Sequence, residues 1–127
     1  MGVVYSAQLL DHFQNPRNTG EIPNPNAAVE IENPVCGDIL RLTLRVERDR
    51  IVEARFKAKG CVPAMACSSA ITELITGKTP LEARRLRREE VIGAVGGVPP
   101  ASSHAVQLAL DALTAALNHL KSSEGNG

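Results

Sequence analysis

Two segments of alternating polarity, separated by a short turn, place the strongest constraint on how this chain folds. Apolar and polar side chains alternate through residues 39–47, and the alternation repeats through 51–59 after the turn at Arg48-Asp49. Successive side chains of a β-strand point to opposite faces, so each segment is predicted to be a strand with one apolar face. Together they are predicted to form an antiparallel hairpin with one face in water. The predicted apolar face holds Leu40, Leu42, Leu44, Val46, Val52, Ala54, Phe56 and Ala58.

Helical patterns dominate the rest of the chain. Ser6 is a predicted N-cap, and a short strand is predicted at 28–32, after a loop rich in Pro and Asn. Helices are predicted over 7–14, over 64–76, from Thr79-Pro80, over 88–94, and from Ser102 or Ser103 to about Leu120. Strands first and helices later predict an α+β fold, a small antiparallel three-stranded sheet with helices packed on one face.

Length and charge narrow the class of protein. The chain has 127 residues, so we predict one domain over 1–121 and a disordered tail over 122–127. Lys+Arg and Asp+Glu number 14 each, which argues against a nucleic-acid-binding protein, since such proteins carry a basic excess. No apolar stretch approaches the ~20 residues of a membrane span. The first residues lack a signal-peptide pattern, so a cytoplasmic protein is expected, with no membrane association.

Side chains that bind soft metals stand at the predicted element boundaries. The three cysteines are an odd number, which favours metal ligands or reactive thiols over a disulfide framework. Cys36 and Asp38 come just before the first long strand, Cys61 follows the second, and His104 begins the last helix. Pairing of the two strands brings residues 36–38 and 61 to one sheet edge. Two thiolates, an imidazole and a carboxylate can hold Zn²⁺, or hold an iron–sulfur cluster loosely.

Each of these residues also has a structural interpretation. A lone Cys is more often a small buried hydrophobe than a ligand. Asp38 could cap a turn, and His104 could simply be packed or solvated. The chain has no C-x-x-C pair of the kind that marks a zinc ribbon. The residues alone therefore leave a shared metal site and separate structural roles both open.

Five motifs occur in order between about residues 5 and 120. They are DHFQNPRNTG at 11–20, NPVCGD at 33–38, ARFKAKGC at 54–61, Ser68-Ser69-Ala70 with Gly77-Lys78, and Pro99-Pro100 with His104. Their order and spacing resemble those of the IscU/NifU family of iron–sulfur cluster assembly scaffolds. The resemblance implies a stand-alone, non-enzymatic scaffold domain that assembles a cluster, of the 2Fe-2S type, and passes it to apo-proteins.

The resemblance also implies roles for individual residues and partners. Cys36, Asp38 and Cys61 are the implied cluster ligands, and Asp38 is implied to keep the cluster labile enough for transfer. His104 is implied to be a nearby ligand or proton-handling residue. The implied partners are a cysteine desulfurase, which supplies sulfur, and apo iron–sulfur proteins, which receive the cluster. Zinc is expected at the same site in the purified protein.

Two positions depart from the family pattern. Ala105 stands where the family has a third cysteine directly after the His. Cys67 is therefore a candidate third thiolate, and the alternative is a structural core cysteine. In that case Cys36, Asp38, Cys61 and His104 alone form the site, and a cluster is expected to be less stable or shared between two chains of a homo-oligomer. After Pro99-Pro100 the chain continues with Ala101-Ser102 instead of Val-Lys, which argues against an Hsp70-type chaperone as a partner.

Three functions are compatible with these residues. The leading prediction is an iron–sulfur scaffold or carrier without enzymatic activity. One alternative is a divergent zinc-binding or regulatory protein that kept the fold but lost cluster assembly. The other is a carrier of persulfide on its cysteines.

Overall fold

The computed structural model of the chain describes residues 5–34 and 37–124, with side chains described through residue 120. The elements of this part of the chain are α1 (Ala7–Gln14), β1 (Ala27–Glu32), β2 (Ile39–Glu47), β3 (Arg50–Lys59), α2 (Val62–Ile75), α3 (Pro80–Arg84), α4 (Arg88–Ala94) and α5 (Ser103–Glu124). A single 3₁₀ turn, Pro100–Ser102, leads into α5. Ser6 is the N-cap of α1, as predicted, because its side chain accepts the Leu9 N–H at 2.9 Å.

The predicted hairpin is the centre of the sheet. Its three strands are antiparallel in the order β1-β2-β3. At one end of the hairpin Ile39 pairs with Lys59, and at the other Glu47 pairs with Arg50. Asp38 directly precedes Ile39 and Gly60 directly follows Lys59. Asp38 and Gly60 are therefore neighbours at one sheet edge.

A β-bulge changes which side chains near the hairpin turn face the core. Arg45 pairs with Glu53, but the next residue, Val46, pairs with Ile51, so Val52 is an extra residue on β3. Ile51 is fully buried, whereas Val52 is 44% exposed. The prediction that Val52 lies on the buried face is wrong, because one extra residue inverts the alternation of a strand.

The helices cover one face of the sheet, which confirms the predicted α+β fold. α5 packs against β1 and β2, α2 packs against β3 and α5, and α1 packs on α2. Fully buried large side chains at the centre of this core are Leu9, Leu40, Leu42, Leu44, Phe56, Ile71 and Ile75. Burial of these apolar side chains supplies the main stabilisation of the fold.

The opposite face of the sheet is not entirely in water. The loop after α1 crosses it, and Ile22 is only 2% exposed. The Ile22 N–H donates to the hydroxyl of Thr43 at 3.2 Å. Thr43, predicted to face water, is therefore buried. The same loop pairs with the outer edge of β3, because Gly20 donates to the Phe56 carbonyl and Phe56 donates to the Asn18 carbonyl, each at 2.9 Å.

The last helix is longer than its apolar pattern suggests. It runs to Glu124, past the predicted end at Leu120. The domain boundary at residue 121 and the tail over 122–127 stay predictions, and residues 125–127 lie outside the described part of the chain. None of the helices described is long and apolar enough to cross a membrane.

Candidate metal centre

Three of the four predicted ligands meet at the sheet edge. Asp38 directly precedes β2, Cys61 follows β3 and is the N-cap of α2, and His104 lies in the first turn of α5. One ligand atom from each residue lies within 4.8 Å of the other two. The pairing of β2 with β3 brings the first two together, and the packing of α5 on the sheet brings the third.

The loop between β1 and β2 holds Asp38 in place. The Asn33 N–H donates to the Asp38 carbonyl at 2.8 Å, and the Gly37 N–H donates to the Asn33 carbonyl at 2.7 Å. Gly37 has a φ of +75°, a conformation that glycine adopts readily and other residues rarely do. The loop therefore turns sharply enough to bury the Asp38 side chain, which is 5% exposed, against Cys61.

The distances between ligand atoms suit one metal ion. Asp38 Oδ2 lies 3.3 Å from Cys61 Sγ and 3.7 Å from His104 Nε2, and the Sγ–Nε2 distance is 3.8 Å. Tetrahedral Zn²⁺ with usual bond lengths would separate such atoms by about 3.4–3.6 Å. The three separations are thus close to those between ligand atoms of one tetrahedral ion.

The surroundings of the three atoms differ in ways that matter for binding. Cys61 Sγ lies at the N-terminus of α2, where the helix dipole stabilises negative charge on a thiolate. Asp38 is buried, Cys61 is half-buried, and the His104 side chain is 36% exposed. One side of the site is therefore open to solvent, so a metal or a partner's side chain can reach it.

Comparison with known proteins supports the interpretation of the motifs. The family described as "NifU-like N terminal domain" matches residues 4–126. The chain belongs to this family. The NifU-like domain is 42% identical over 114 residues to iron-sulfur cluster assembly scaffold protein IscU 1 of Archaeoglobus fulgidus, with 90% of this chain and 74% of that protein covered. It is 37% identical over 124 residues to the scaffold protein IscU of Escherichia coli, with 94% and 96% covered.

Solved structures agree with the observed architecture of the NifU-like domain. A protein of Fervidobacterium islandicum AW-1, proposed as a cluster assembly scaffold of the SUF system, superposes with a TM-score of 0.76 at 25% identity, with 89% of this chain and 96% of that chain covered. The N-terminal part of a NifU-like protein of Brucella abortus superposes with a TM-score of 0.74 at 18% identity, with 92% and 94% covered. The second likeness concerns the fold alone.

Of the other two cysteines of the NifU-like domain, Cys67 lies among the described residues and Cys36 does not. Cys36 lies outside the described residues, so its role as a ligand stays a prediction. Cys67 is fully buried and does not belong to the group of ligand atoms within 4.8 Å of one another. The pKa of the Cys67 thiol is raised to about 12, first by burial and then by the charge of Cys61, while the charge of Arg88 acts in the opposite direction. Ala105, beside His104, is 1% exposed and has no thiol to offer.

Sequence reasoning missed one residue that positions the site. Arg88 binds the start of α5, because its guanidinium donates to Gln107 Oε1 at 2.8 Å and to the Ser103 carbonyl at 3.5 Å. The contact holds the turn that carries His104. In the sequence Arg88 belongs to a run of arginines typical of a solvated helix face, and nothing in that run distinguishes it.

An open cleft adjoins the solvent side of His104. Its volume is about 290 Å³, and its lining residues are Ile31, Glu32, Asn33, Pro34, His104, Gln107, Leu108 and Asp111. The lining includes both apolar and polar side chains. It offers room beside the metal-binding atoms for a side chain or segment of another protein.

Proposed function

We propose that this domain is an iron–sulfur cluster assembly scaffold. It assembles a cluster as transient cargo on Asp38, Cys61, His104 and Cys36, the last outside the described residues, and passes it to apo-proteins. One observation carries the proposal: three ligand atoms from three separate elements lie within 4.8 Å of one another at an edge open to solvent. The scaffold proteins of Archaeoglobus and Escherichia coli, similar over most of the chain, support it.

The mixture of ligand types fits a cargo that must leave. Iron–sulfur clusters that stay in place are held by thiolates. A carboxylate is a harder ligand and binds soft iron–sulfur centres weakly. The Asp38 carboxylate is therefore a ligand that a competing thiolate of an acceptor protein can displace. Such a thiolate approaches from the side of the site that is open to solvent, where the imidazole of His104 lies.

The proposal includes cargo type, partners and location. The cargo is a 2Fe-2S cluster, and zinc binds to the same ligand atoms when iron and sulfide are absent. A cysteine desulfurase supplies the sulfur, and apo iron–sulfur proteins accept the cluster, with no enzymatic step by the scaffold itself. The protein works in the cytoplasm without an Hsp70-type chaperone. With Ala105 in place of a thiol, the cluster is either completed by Cys67 or shared between two copies of the chain.

Anaerobic reconstitution tests the proposal. The protein is incubated with a cysteine desulfurase, cysteine and ferrous iron, and iron and acid-labile sulfide are then measured. Equal amounts of the two, and transfer of the cluster to an apo-ferredoxin, are expected. Cys61→Ser is the inactive control, and Glu47→Ala, which removes a carboxylate at the far end of β2, is the matched active control.

A zinc-binding regulator is the second candidate, because the distances between the three ligand atoms suit a single ion. Tight zinc binding with no cluster after reconstitution would support that function and count against the scaffold. A mass gain of one sulfur on a cysteine, without metal, would instead support a persulfide carrier.

A further inference from the structure

We infer that Gly60 is a positioning residue for Asp38: the missing side chain at Gly60 leaves the space in which the Asp38 carboxylate lies against Cys61. The inference rests on the proposed function, since it concerns the same metal-binding atoms. It assigns to Gly60 a role that its position beside Cys61 in the chain does not by itself explain.

The space at Gly60 is filled by the Asp38 side chain. A Cβ atom added to Gly60 would lie 2.4 Å from Asp38 Oδ1, 2.6 Å from Cγ and 2.9 Å from Cβ. Non-bonded carbon and oxygen atoms do not approach so closely, because the optimal contact distance is about 3.5–4.0 Å. A side chain at position 60 therefore forces the Asp38 carboxylate to move.

The backbone on both sides has little freedom to move instead. Ile39 pairs with Lys59 in the sheet, so Asp38 and Gly60 both adjoin a fixed pair. The Asp38 carbonyl also accepts the Asn33 N–H at 2.8 Å. Rotation of the Asp38 side chain relieves the contacts with Oδ1 and Cγ, and the 2.9 Å contact with Cβ, which rotation does not move, requires a small backbone shift as well.

Rotation of that side chain breaks each contact that defines its place in the site. Asp38 Oδ1 accepts the Cys61 N–H at 3.3 Å, and Oδ2 lies 3.3 Å from Cys61 Sγ and 3.7 Å from His104 Nε2. Loss of the first contact leaves the Cys61 amide without this acceptor. Loss of the other two removes an oxygen ligand from the metal-binding atoms.

Gly93 provides a control for the added methyl group alone, because it lies in regular helix whereas Gly60 has a φ of +159°. It lies within α4, and a Cβ added there would meet no heavy atom of the described residues within 4 Å. Gly93→Ala thus adds the same methyl group without touching the site.

Two measurements on metal-free and zinc-loaded protein test the inference. Hydrogen exchange reports the protection of the Cys61 amide without metal, and competition with a chromogenic chelator reports zinc affinity. In Gly60→Ala we expect the protection of the Cys61 amide and the affinity for zinc each to fall roughly tenfold. This is the loss that follows from breaking a hydrogen bond to a charged group. Gly93→Ala should match the wild type in both. Wild-type amide protection and zinc affinity in Gly60→Ala would overturn the inference.

A rescue experiment separates positioning from a general defect in folding. Asp38→Gly removes the three atoms that the new Cβ would contact, so only the backbone strain at the φ of +159° remains when Gly60→Ala is added to it. Gly60→Ala should therefore cost clearly less zinc affinity and thermal stability in the Asp38→Gly background than in the wild type. If Gly60→Ala alone is too unstable to purify, the double variant should be the more stable of the two. Losses as large in the Asp38→Gly background as in the wild type would refute the role.

Neither measurement depends on cluster assembly. A wild-type protein that assembles no cluster would refute the proposed function and leave the Gly60 result standing. A protein that assembles clusters but shows no coupling between Gly60 and Asp38 would refute only the inference. If zinc binds weakly even to the wild type, the exchange of the Cys61 amide decides.

Discussion

The Asp38 carboxylate contacts Cys61 at two points, with Oδ1 accepting the Cys61 N–H and Oδ2 facing Cys61 Sγ, each at 3.3 Å. Oδ1 is therefore held by the main chain, while Oδ2 lies beside the sulfur in a position to bind metal. In the proposed scaffold, Cys61 is the thiolate that supplies affinity for soft metals and Asp38 is the ligand that exchanges.

Replacement of Asp38 should slow the release of a cluster. In Asp38→Ala the weak oxygen ligand is gone, so the cluster is held by the remaining soft ligands and exchanges more slowly. Transfer to an apo-ferredoxin, followed by circular dichroism in the visible range, should be several-fold slower than in the wild type. Glu47→Ala should transfer at the wild-type rate. Faster transfer from Asp38→Ala would count against the role assigned to the carboxylate.

Thiolates should dominate metal affinity. Cys36→Ser or Cys61→Ser is expected to abolish zinc binding, whereas His104→Ala only weakens it, because thiolates contribute most of the affinity for soft metals. Chelator competition gives the affinities, and His119→Ala, farther along the same helix, is the control for His104→Ala. Tight zinc binding by the Cys36→Ser/Cys61→Ser double variant would place the metal elsewhere.

The two described cysteines should differ sharply in reactivity. Cys67 is fully buried with its pKa raised to about 12, while Cys61 is half-buried. Since the thiolate is the reactive form, iodoacetamide should modify Cys61 at least about a hundredfold faster than Cys67 in the native, metal-free protein. Peptide mass mapping measures both rates, and unfolding in guanidinium should remove the difference. Comparable native rates would show that the Cys67 sulfur is accessible.

Cys67→Ser then tests whether Cys67 replaces the thiol missing at Ala105. Slower cluster assembly at an unchanged melting temperature would support a third thiolate ligand. Assembly at the wild-type rate would assign Cys67 to the core alone.

A buried histidine should make the fold sensitive to mild acid. His12 Nδ1 lies 2.8 Å from the hydroxyl of Ser69, which also accepts the Arg17 N–H. Burial, and then the charge of Arg17, lower the pKa of His12 despite the nearby Glu73 and Asp11. Since the unfolded chain takes up this proton more readily, the stabilisation is complete above about pH 6.5 and is lost as the pH falls toward the lower, folded-state pKa.

Denaturant unfolding at several pH values measures this effect. The free energy of unfolding should fall more steeply between about pH 6.5 and 5 in the wild type than in His12→Gln. Parallel curves for wild type and His12→Gln would show that His12 is not the responsible group.

The bulge in the hairpin predicts opposite outcomes for two adjacent residues. Ile51 is fully buried and Val52 is 44% exposed. Ile51→Ala should cost about 3 kcal/mol of unfolding free energy, the usual loss for a large aliphatic side chain in a core. Val52→Ala should change it by less than about 1 kcal/mol, since exposed substitutions have small effects. Equal losses at the two positions would mean that the bulge is misplaced.

Much of the architecture follows from local sequence patterns. The alternation around Arg48-Asp49 predicts the hairpin, and the hairpin alone predicts that Asp38 and Cys61 meet, because strands paired through a short turn must bring their far ends together. α4 has the predicted bounds, and Ser6 caps α1 as expected. These features depend on neighbours in the chain, so periodicity and capping residues are sufficient to find them.

Other features were decided by contacts between residues far apart in the sequence. The exposure of Val52 depends on a bulge set by the pairing of β2 with β3, and the burial of Thr43 depends on the path of a loop. The fit of Asp38 into the space at Gly60, and the hold of Arg88 on the start of α5, likewise need three-dimensional packing. Local patterns in the chain were enough to predict which side chains meet at this sheet edge. The separations between those side chains came from the packing of distant elements, because distances of 3–4 Å between side-chain atoms are set by how separate elements pack.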